Sequence, residues 1–124
     1  MKTTELYIRK ADETYREAVF MLENKFYQAC ISRAYYAAYH AIQAVLHSEG
    51  LSAKTHSGTL AVFSKHFIKT EKFPIRTVKF LKENLDKRLL GDYEITFKAE
   101  LHDARLAVDY AGEVISDVKG YLNP

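Results

Sequence analysis

Apolar residues recur at steps of three and four along most of the chain, the spacing that places side chains on one face of an α-helix. Strict alternation of apolar and polar residues, which would favour strands, is weak. Over about residues 3–23 the pattern predicts a first helix whose apolar face holds Ile8, Ala11, Tyr15, Ala18 and Leu22. Asn24 and Lys25 interrupt this pattern. A second helix is predicted over about residues 26–48, ending near Gly50.

Two shorter helices are predicted next. The third follows an N-cap at Thr55 or Ser57, since either hydroxyl can accept a backbone N–H at a helix start. Its apolar stripe is Leu60, Phe63 and Phe67. The fourth begins at Phe73-Pro74 and stops at Gly91. Its apolar positions are Val78, Leu81 and Leu85.

The last helix has the clearest pattern and is predicted over about residues 97–122. Its core-facing seam alternates steps of four and three: Phe97, Leu101, Ala104, Val108, Ala111, Ile115, Val118 and Leu122. Five helices with short connections predict an all-α, single-domain, up-and-down bundle over residues 1–124.

The second helix separates into three faces when its residues are placed about 100° apart. One face has only small side chains, which let a neighbouring helix approach closely: Cys30, Ala34, Ala37, Ala38, Ala41, Ala44 and Val45. Another is large and apolar: Ile31, Tyr35, Tyr39, Ile42 and Leu46. The third is polar: Arg33, Tyr36, His40, Gln43 and His47. Two apolar faces predict a central helix with neighbours on at least two sides.

The polar face lacks the lysines and glutamates of an ordinary solvated surface, and two interpretations of it stay open. Its groups can form a partly exposed edge whose hydrogen bonds are satisfied locally. They can equally face a cleft or a second subunit and bind a ligand there. His40 and His47 are two helical turns apart, about 10.5 Å along the axis, which is too far to chelate one metal ion.

The composition is that of a soluble globular domain. Hydrophobic residues make up 48% of the 124 residues and charged residues 27%, so the chain can bury one core. The net charge of +2 does not by itself indicate nucleic-acid binding. A single cysteine, Cys30, excludes an intramolecular disulfide and suits a reducing cytoplasm. The uncharged stretch at residues 34–48 is shorter than the roughly 20 residues of a membrane span, so the protein is predicted to be soluble. Together with the single cysteine, this predicts a cytoplasmic location.

Neither a metal nor a cofactor is predicted. The sequence has no His-Glu-x-x-His and no Glu-x-x-His, and one cysteine cannot build a zinc ribbon. There is also no glycine-rich phosphate loop. Two segments keep an anion-binding interpretation open beside a purely structural one. One is Thr55-His56-Ser57-Gly58 at a helix N-terminus, and the other is Arg88, predicted in the last turn of a helix.

Three segments together resemble the HEPN superfamily, and most closely its small stand-alone prokaryotic branch. They are SRAYYAAYHA at residues 32–41, KTHSG at residues 54–58, and Arg88 followed by Asp92-Tyr93. The resemblance extends from the first helix to about Tyr121. It implies a helical bundle that forms homodimers and has a link to nucleotides or RNA. It also implies a minimal nucleotidyltransferase as partner, in a toxin–antitoxin pair.

Active members of that superfamily resemble metal-independent ribonucleases with an Arg-x(4–6)-His motif at the dimer cleft. Arginine would stabilise the phosphorane charge and histidine would transfer protons. The matching segment here has Asp92 where a histidine is expected, and a carboxylate does not titrate near neutrality as an imidazole does. Arg33 and His40 have the motif's spacing, but they lie in the second helix and not toward the C-terminal half.

The predicted function is therefore a nucleotide- or RNA-associated binding protein. The candidate site residues are Arg33, Tyr36, His40, His56, Arg88, Asp92 and Tyr93. The two arginines are expected to contact phosphate, and one of the two tyrosines to stack on a base or donate a hydrogen bond. If the protein is an enzyme, His40 and Arg88 are the candidate catalytic residues. A metal-independent ribonuclease and a purely structural dimerisation module are the alternatives.

Overall fold

The computed structural model describes residues 2–85 and 98–123, and these residues form five α-helices with no strand. The helices are α1 (Lys2–Glu23), α2 (Tyr27–Ser48), α3 (His56–Phe63), α4 (Arg76–Leu85) and α5 (Leu101–Leu122). A π-helical turn over Ser64–Ile68 continues α3. The predicted all-α bundle is confirmed. None of the described helices has the length and apolar character needed to cross a membrane.

Neighbouring helices of the bundle run in defined directions. Only residues 24–26 separate α1 from α2, so these two helices pack antiparallel. Helices α2 and α5 run in the same direction. At one end the Cys30 thiol lies 3.9 Å from the carbonyl oxygen of Ala104, and at the other the Tyr121 hydroxyl donates to the Glu49 carboxylate at 3.1 Å.

Helix α2 is the centre of the bundle, as its two apolar faces predicted, and it packs against both α1 and α5. Every residue of its small face is 0% exposed: Cys30, Ala34, Ala37, Ala38, Ala41, Ala44 and Val45. The large apolar face is also buried: Ile31, Tyr35, Tyr39, Ile42 and Leu46. Side chains this small allow helix axes to approach closely, which explains why α1 and α5 can both pack against one helix.

The start of α3 is fixed by a side-chain cap. Thr55, rather than Ser57, is the N-cap: its hydroxyl oxygen accepts the backbone N–H of Gly58 at 2.9 Å. A Cβ atom at Gly58 would lie 2.8 Å from that oxygen, so glycine leaves room for the cap. The cap makes His56 the first residue of α3. The predicted stripe of this segment is buried: Leu60, Phe63 and Phe67.

Polar contacts fasten the first turn of α4 to α5. The Arg76 guanidinium lies 3.3 Å from the Glu113 carboxylate and 3.0 Å from that of Asp117. The Tyr110 hydroxyl donates to the carbonyl oxygen of Thr77, and burial raises the pKa of Tyr110. These contacts hold the first turn of α4 against α5. Its predicted end at Gly91 lies outside the described residues.

Helix α5 begins at Leu101, later than the predicted start at residue 97, and residues 98–100 precede it without helical structure. The reason is a cap: the Asp103 carboxylate accepts the backbone N–H of Glu100 at 2.9 Å. Leu101 is 40% exposed and so is not part of the buried seam, contrary to prediction. The buried members of the seam are Ala104, Val108, Ala111, Ile115 and Val118.

Candidate functional site

The polar face of α2 lies along a seam between α1 and α3 and is half buried. Its five side chains are all partly exposed: Arg33, Tyr36, His40, Gln43 and His47. Helix α1 contacts this face through Glu17 and Tyr7, and α3 contacts it through His56. The hydrogen-bonding groups are therefore held between elements, where neighbouring helices restrict their positions.

Arg33 makes two contacts that hold its guanidinium over the protein surface. Its Nη1 atom lies 3.2 Å from the Glu17 Oε1 atom, and its Cζ atom lies 5.3 Å from the ring centroid of Tyr36. The Arg33 side chain is 38% exposed and that of Glu17 is 54% exposed, so the ion pair contributes only about 0–1 kcal/mol to stability. A guanidinium has five N–H donors, and one contact with Glu17 leaves donors for a ligand.

Four aromatic side chains from α2 and α3 meet beside Arg33. The rings of Tyr36 and His40 stack with centroids 6.2 Å apart and an interplanar angle of 27°. His56 meets Tyr36 edge-on at 6.3 Å and lies 4.5 Å from the Tyr39 ring. We call these four residues, Tyr36, Tyr39, His40 and His56, the Tyr–His cluster. The fold therefore brings the predicted residues of α2 and α3 into contact.

His40 is held as a neutral imidazole in this cluster. Its Nδ1 atom lies 3.1 Å from the Gln43 Oε1 atom; because that oxygen is an acceptor, Nδ1 carries the proton and Nε2 keeps its lone pair. Burial lowers the pKa of His40 below 6.5, against the opposing effect of the Gln43 contact. The positive charges of Lys10 and Arg33, together with His56, lower it further.

Two buried tyrosines, Tyr35 and the cluster member Tyr39, lie beneath the exposed rings of the cluster. The Tyr39 hydroxyl is hydrogen-bonded to Thr59 Oγ1 at 3.1 Å, and burial raises the pKa of Tyr39. Tyr35 is 0% exposed, and its ring lies 5.7 Å from Tyr36 and 6.2 Å from Tyr39. Burial raises the pKa of Tyr35 to about 12, so it stays a neutral phenol. These contacts fix the rings of the exposed layer above.

The other end of the polar face has a different neighbour. His47 stacks on Tyr7 of α1, with ring centroids 4.8 Å apart and an interplanar angle of 29°. Tyr7 also acts electrostatically on Tyr39 of the cluster and raises its pKa. The polar face thus divides into the Tyr–His cluster at one end and a single stacked pair at the other.

The remaining candidate residues, Arg88, Asp92 and Tyr93, lie outside the described residues, so their predicted roles stay predictions. Within the described part of the chain, no three His, Cys, Asp or Glu side chains are grouped to hold a metal ion. Cys30 is buried on the small face of α2, and desolvation raises its pKa to about 11. A thiol with so high a pKa is not a nucleophile at neutral pH.

The comparison with known families matches this architecture. A family model described as the HEPN domain covers residues 4–121. The chain belongs to the HEPN domain family. That match confirms the resemblance carried by residues 32–41 and 54–58, and it extends over both described parts of the chain.

Curated relatives of this HEPN chain cover most of its length. A protein named "Putative toxin" from Methanocaldococcus jannaschii is 27% identical and matches 95% of this chain and 80% of its own. A "UPF0332 protein" from Thermotoga maritima is 32% identical over 95% of both chains. Another M. jannaschii protein named "Putative toxin" is 24% identical and matches 94% of this chain and 81% of its own.

Sequence reasoning missed several residues that shape the site of this HEPN chain. Lys10 and Glu17 of α1 act on His40 and Arg33, although neither was a candidate. A signal was present, since residues 7, 10, 14 and 17 recur at three- and four-residue steps and so share one side of α1. Tyr39 was assigned to the apolar face; its ring is buried there, but its hydroxyl bonds to Thr59.

Proposed function

We propose that this HEPN protein binds RNA or a nucleotide at Arg33 and the Tyr–His cluster. We further propose that it acts as a homodimer with a nucleotidyltransferase partner in a toxin–antitoxin pair. The observation that carries the binding proposal is the contact of four predicted residues, Arg33, Tyr36, His40 and His56, at one place on the surface.

The chemistry of this place suits a nucleotide. A guanidinium binds phosphate through paired N–H donors, and the face of a tyrosine ring can stack on any base. Arg33 and Tyr36 supply these two groups 5.3 Å apart. His40 adds an Nε2 lone pair that can accept a hydrogen bond from a base edge or a ribose hydroxyl. Phosphate, base and sugar therefore each have a complementary group in Arg33 or in the Tyr–His cluster.

The toxin–antitoxin part of the proposal is supported by family membership and by relatives named as toxins. Such pairs need a second protein that neutralises or modifies the first. A nucleotidyltransferase gene beside the gene for this protein would support the pairing, and co-purification of the two products would test it directly. A neighbouring gene of an unrelated type would contradict the nucleotidyltransferase pairing, but it would not affect the binding proposal.

The binding proposal is tested with a fluorescent single-stranded RNA of about ten nucleotides, in EDTA, by anisotropy at several salt concentrations. Arg33→Ala should weaken binding about tenfold and reduce the salt slope by about one. Arg105→Ala removes an exposed positive charge from α5 and serves as the control. Equal losses in both variants would place binding elsewhere. Weakened self-association with unchanged RNA affinity would instead favour a structural module.

A second candidate function, metal-independent ribonuclease, is favoured by one observation: His40 keeps a neutral Nε2 on the same helix face as Arg33. In that reaction Nε2 takes the proton of a ribose 2′-hydroxyl, whose oxygen attacks the adjacent phosphorus. The bond from phosphorus to the 5′-oxygen breaks, and that oxygen takes up a proton from solvent water, to which His40 afterwards returns its own proton. The products are a 2′,3′-cyclic phosphate and a 5′-hydroxyl.

Gel analysis of RNA incubated with the protein in EDTA tests this second candidate. Cleavage that leaves a 2′,3′-cyclic phosphate and is abolished by His40→Ala or Arg88→Ala would support it. Cleavage that survives both substitutions would come from another site or a contaminant. Binding without cleavage would leave the first proposal as the function.

A further inference from the structure

Glu17 occupies an unusual position for a residue beside a proposed anion site. Its Oε1 atom lies 3.2 Å from Nη1 of Arg33, the cation expected to meet phosphate. Both side chains reach solvent, since Glu17 is 54% and Arg33 is 38% exposed. An anion bound to Arg33 therefore lies within a few ångströms of a carboxylate, and repulsion between like charges opposes its binding.

The charges around the cluster are nearly balanced. Lys10 and Arg33 are the two cations that act on His40, and Glu17 is the carboxylate in contact with Arg33. The two positive charges of Lys10 and Arg33 and the one negative charge of Glu17 sum to +1. A site with that charge complements one negative charge better than two.

We propose that Glu17 sets the ligand class of this site, favouring the internal phosphodiester of an RNA strand over the terminal phosphomonoester of a mononucleotide. The inference rests on the proposed binding function and deepens it. A phosphodiester carries one negative charge, whereas a phosphomonoester carries about 1.5 to 2 at neutral pH. The additional charge of the monoester is repelled by Glu17, while the donors of Arg33 that Glu17 leaves available can still bind the diester oxygens.

The geometry also argues against a purely supporting role for Glu17. Arg33 already has a second contact, the Tyr36 ring at 5.3 Å, that holds its guanidinium over the surface. Removing the charge of Glu17 therefore leaves Arg33 in place and removes the repulsion that acts on a bound anion. On this basis Glu17→Gln should improve the binding of doubly charged ligands and not weaken it.

Two ligands with the same base test the inference: a 2′-O-methyl adenylyl-adenosine, which has one phosphodiester and cannot be cleaved, and AMP, which has a monoester. Their dissociation constants are measured by NMR titration at neutral pH. The wild-type protein should bind the dinucleotide more tightly. Glu17→Gln should tighten AMP binding about three- to tenfold and change dinucleotide binding less than about twofold, because the screened repulsion acts on the additional charge.

Glu13→Gln is the matched control, because Glu13 is an exposed carboxylate one turn earlier on α1. It should change neither dissociation constant by more than about twofold, since solvent and salt screen a more distant charge. Arg33→Ala should weaken both ligands.

Each result decides one point. If Glu17→Gln leaves the ligand preference unchanged while binding still depends on Arg33, only the proposed role of Glu17 is wrong. Weaker binding of both ligands by Glu17→Gln would make Glu17 a positioning residue and also overturn it. If Arg33→Ala affects neither ligand, the proposed site itself is wrong.

Discussion

Two faces of the same helix, α2, serve different purposes in this HEPN protein. The small face is fully buried and consists almost wholly of alanine, which supplies close packing and no chemistry. The polar face is half buried and holds Arg33, Tyr36 and His40, whose exposed contacts contribute little to stability. The difference teaches that a substitution should affect folding on the first face and ligand binding on the second.

The largest expected effect is on the small face. Ala38→Leu adds bulk where the side chain is 0% exposed, so overpacking should lower the free energy of unfolding by about 1–3 kcal/mol. Ala29→Leu makes the same change at an exposed position of α2 and should alter stability by less than about 0.5 kcal/mol. Urea unfolding of both variants measures the difference. Equal effects would contradict the close packing of helices on this face.

A smaller effect is expected where α3 brings His56 to the polar face. Thr55→Ala removes the cap of α3 and should lower the free energy of unfolding by about 1 kcal/mol. Ser57→Ala leaves that hydrogen bond in place and should change the free energy of unfolding by less than about 0.5 kcal/mol. Thermal unfolding compares the two variants. A larger loss for Ser57→Ala would mean that the cap is assigned to the wrong hydroxyl.

The smallest effect concerns pH. The folded-state pKa of His40 is lowered from 6.5, so the unfolded chain binds the proton more readily than the folded protein does. Above pH 6.5 the imidazole is neutral in both states, and stability does not depend on it. As pH falls below 6.5, the unfolded state is protonated first and stability decreases until the folded-state pKa is reached.

His40→Gln should therefore flatten this part of the stability profile between pH 7 and pH 5, measured by urea unfolding. His66→Gln changes an exposed histidine outside the cluster and should keep the wild-type slope. A profile that stays unchanged in His40→Gln would contradict the desolvation of this imidazole.

Much of this architecture could be read from the sequence because helical periodicity is a local property. The three faces of α2 follow from steps of three and four, and the structure buries both apolar faces as predicted. The predicted start of α5 was wrong because Phe97 continues the apolar pattern four residues before Leu101. The cap between Glu100 and Asp103 sets the boundary instead. The apolar periodicity alone does not show whether a capping hydrogen bond starts the helix one turn later.

The candidate site was predicted in part. Arg33, Tyr36 and His40 share a face because they are three and four residues apart, which any helix would preserve. Nothing in the sequence required His56 to meet them, since it lies on another helix beyond a connecting loop. Tyr39 shows the same limit: it reads as a core residue, and its hydrogen bond to Thr59 across a separation of 20 residues is set by packing.

By itself, the sequence determined the helices, the central position of α2 and the grouping of polar side chains along one of its faces. Only the tertiary structure decided which charges and rings stand opposite that face: Glu17 and Lys10 from α1, and His56 from α3. The physical reason is the sequence separation over which each kind of interaction acts. Helical spacing is set by bonds four residues apart, whereas the charge balance at Arg33 depends on how separate helices pack.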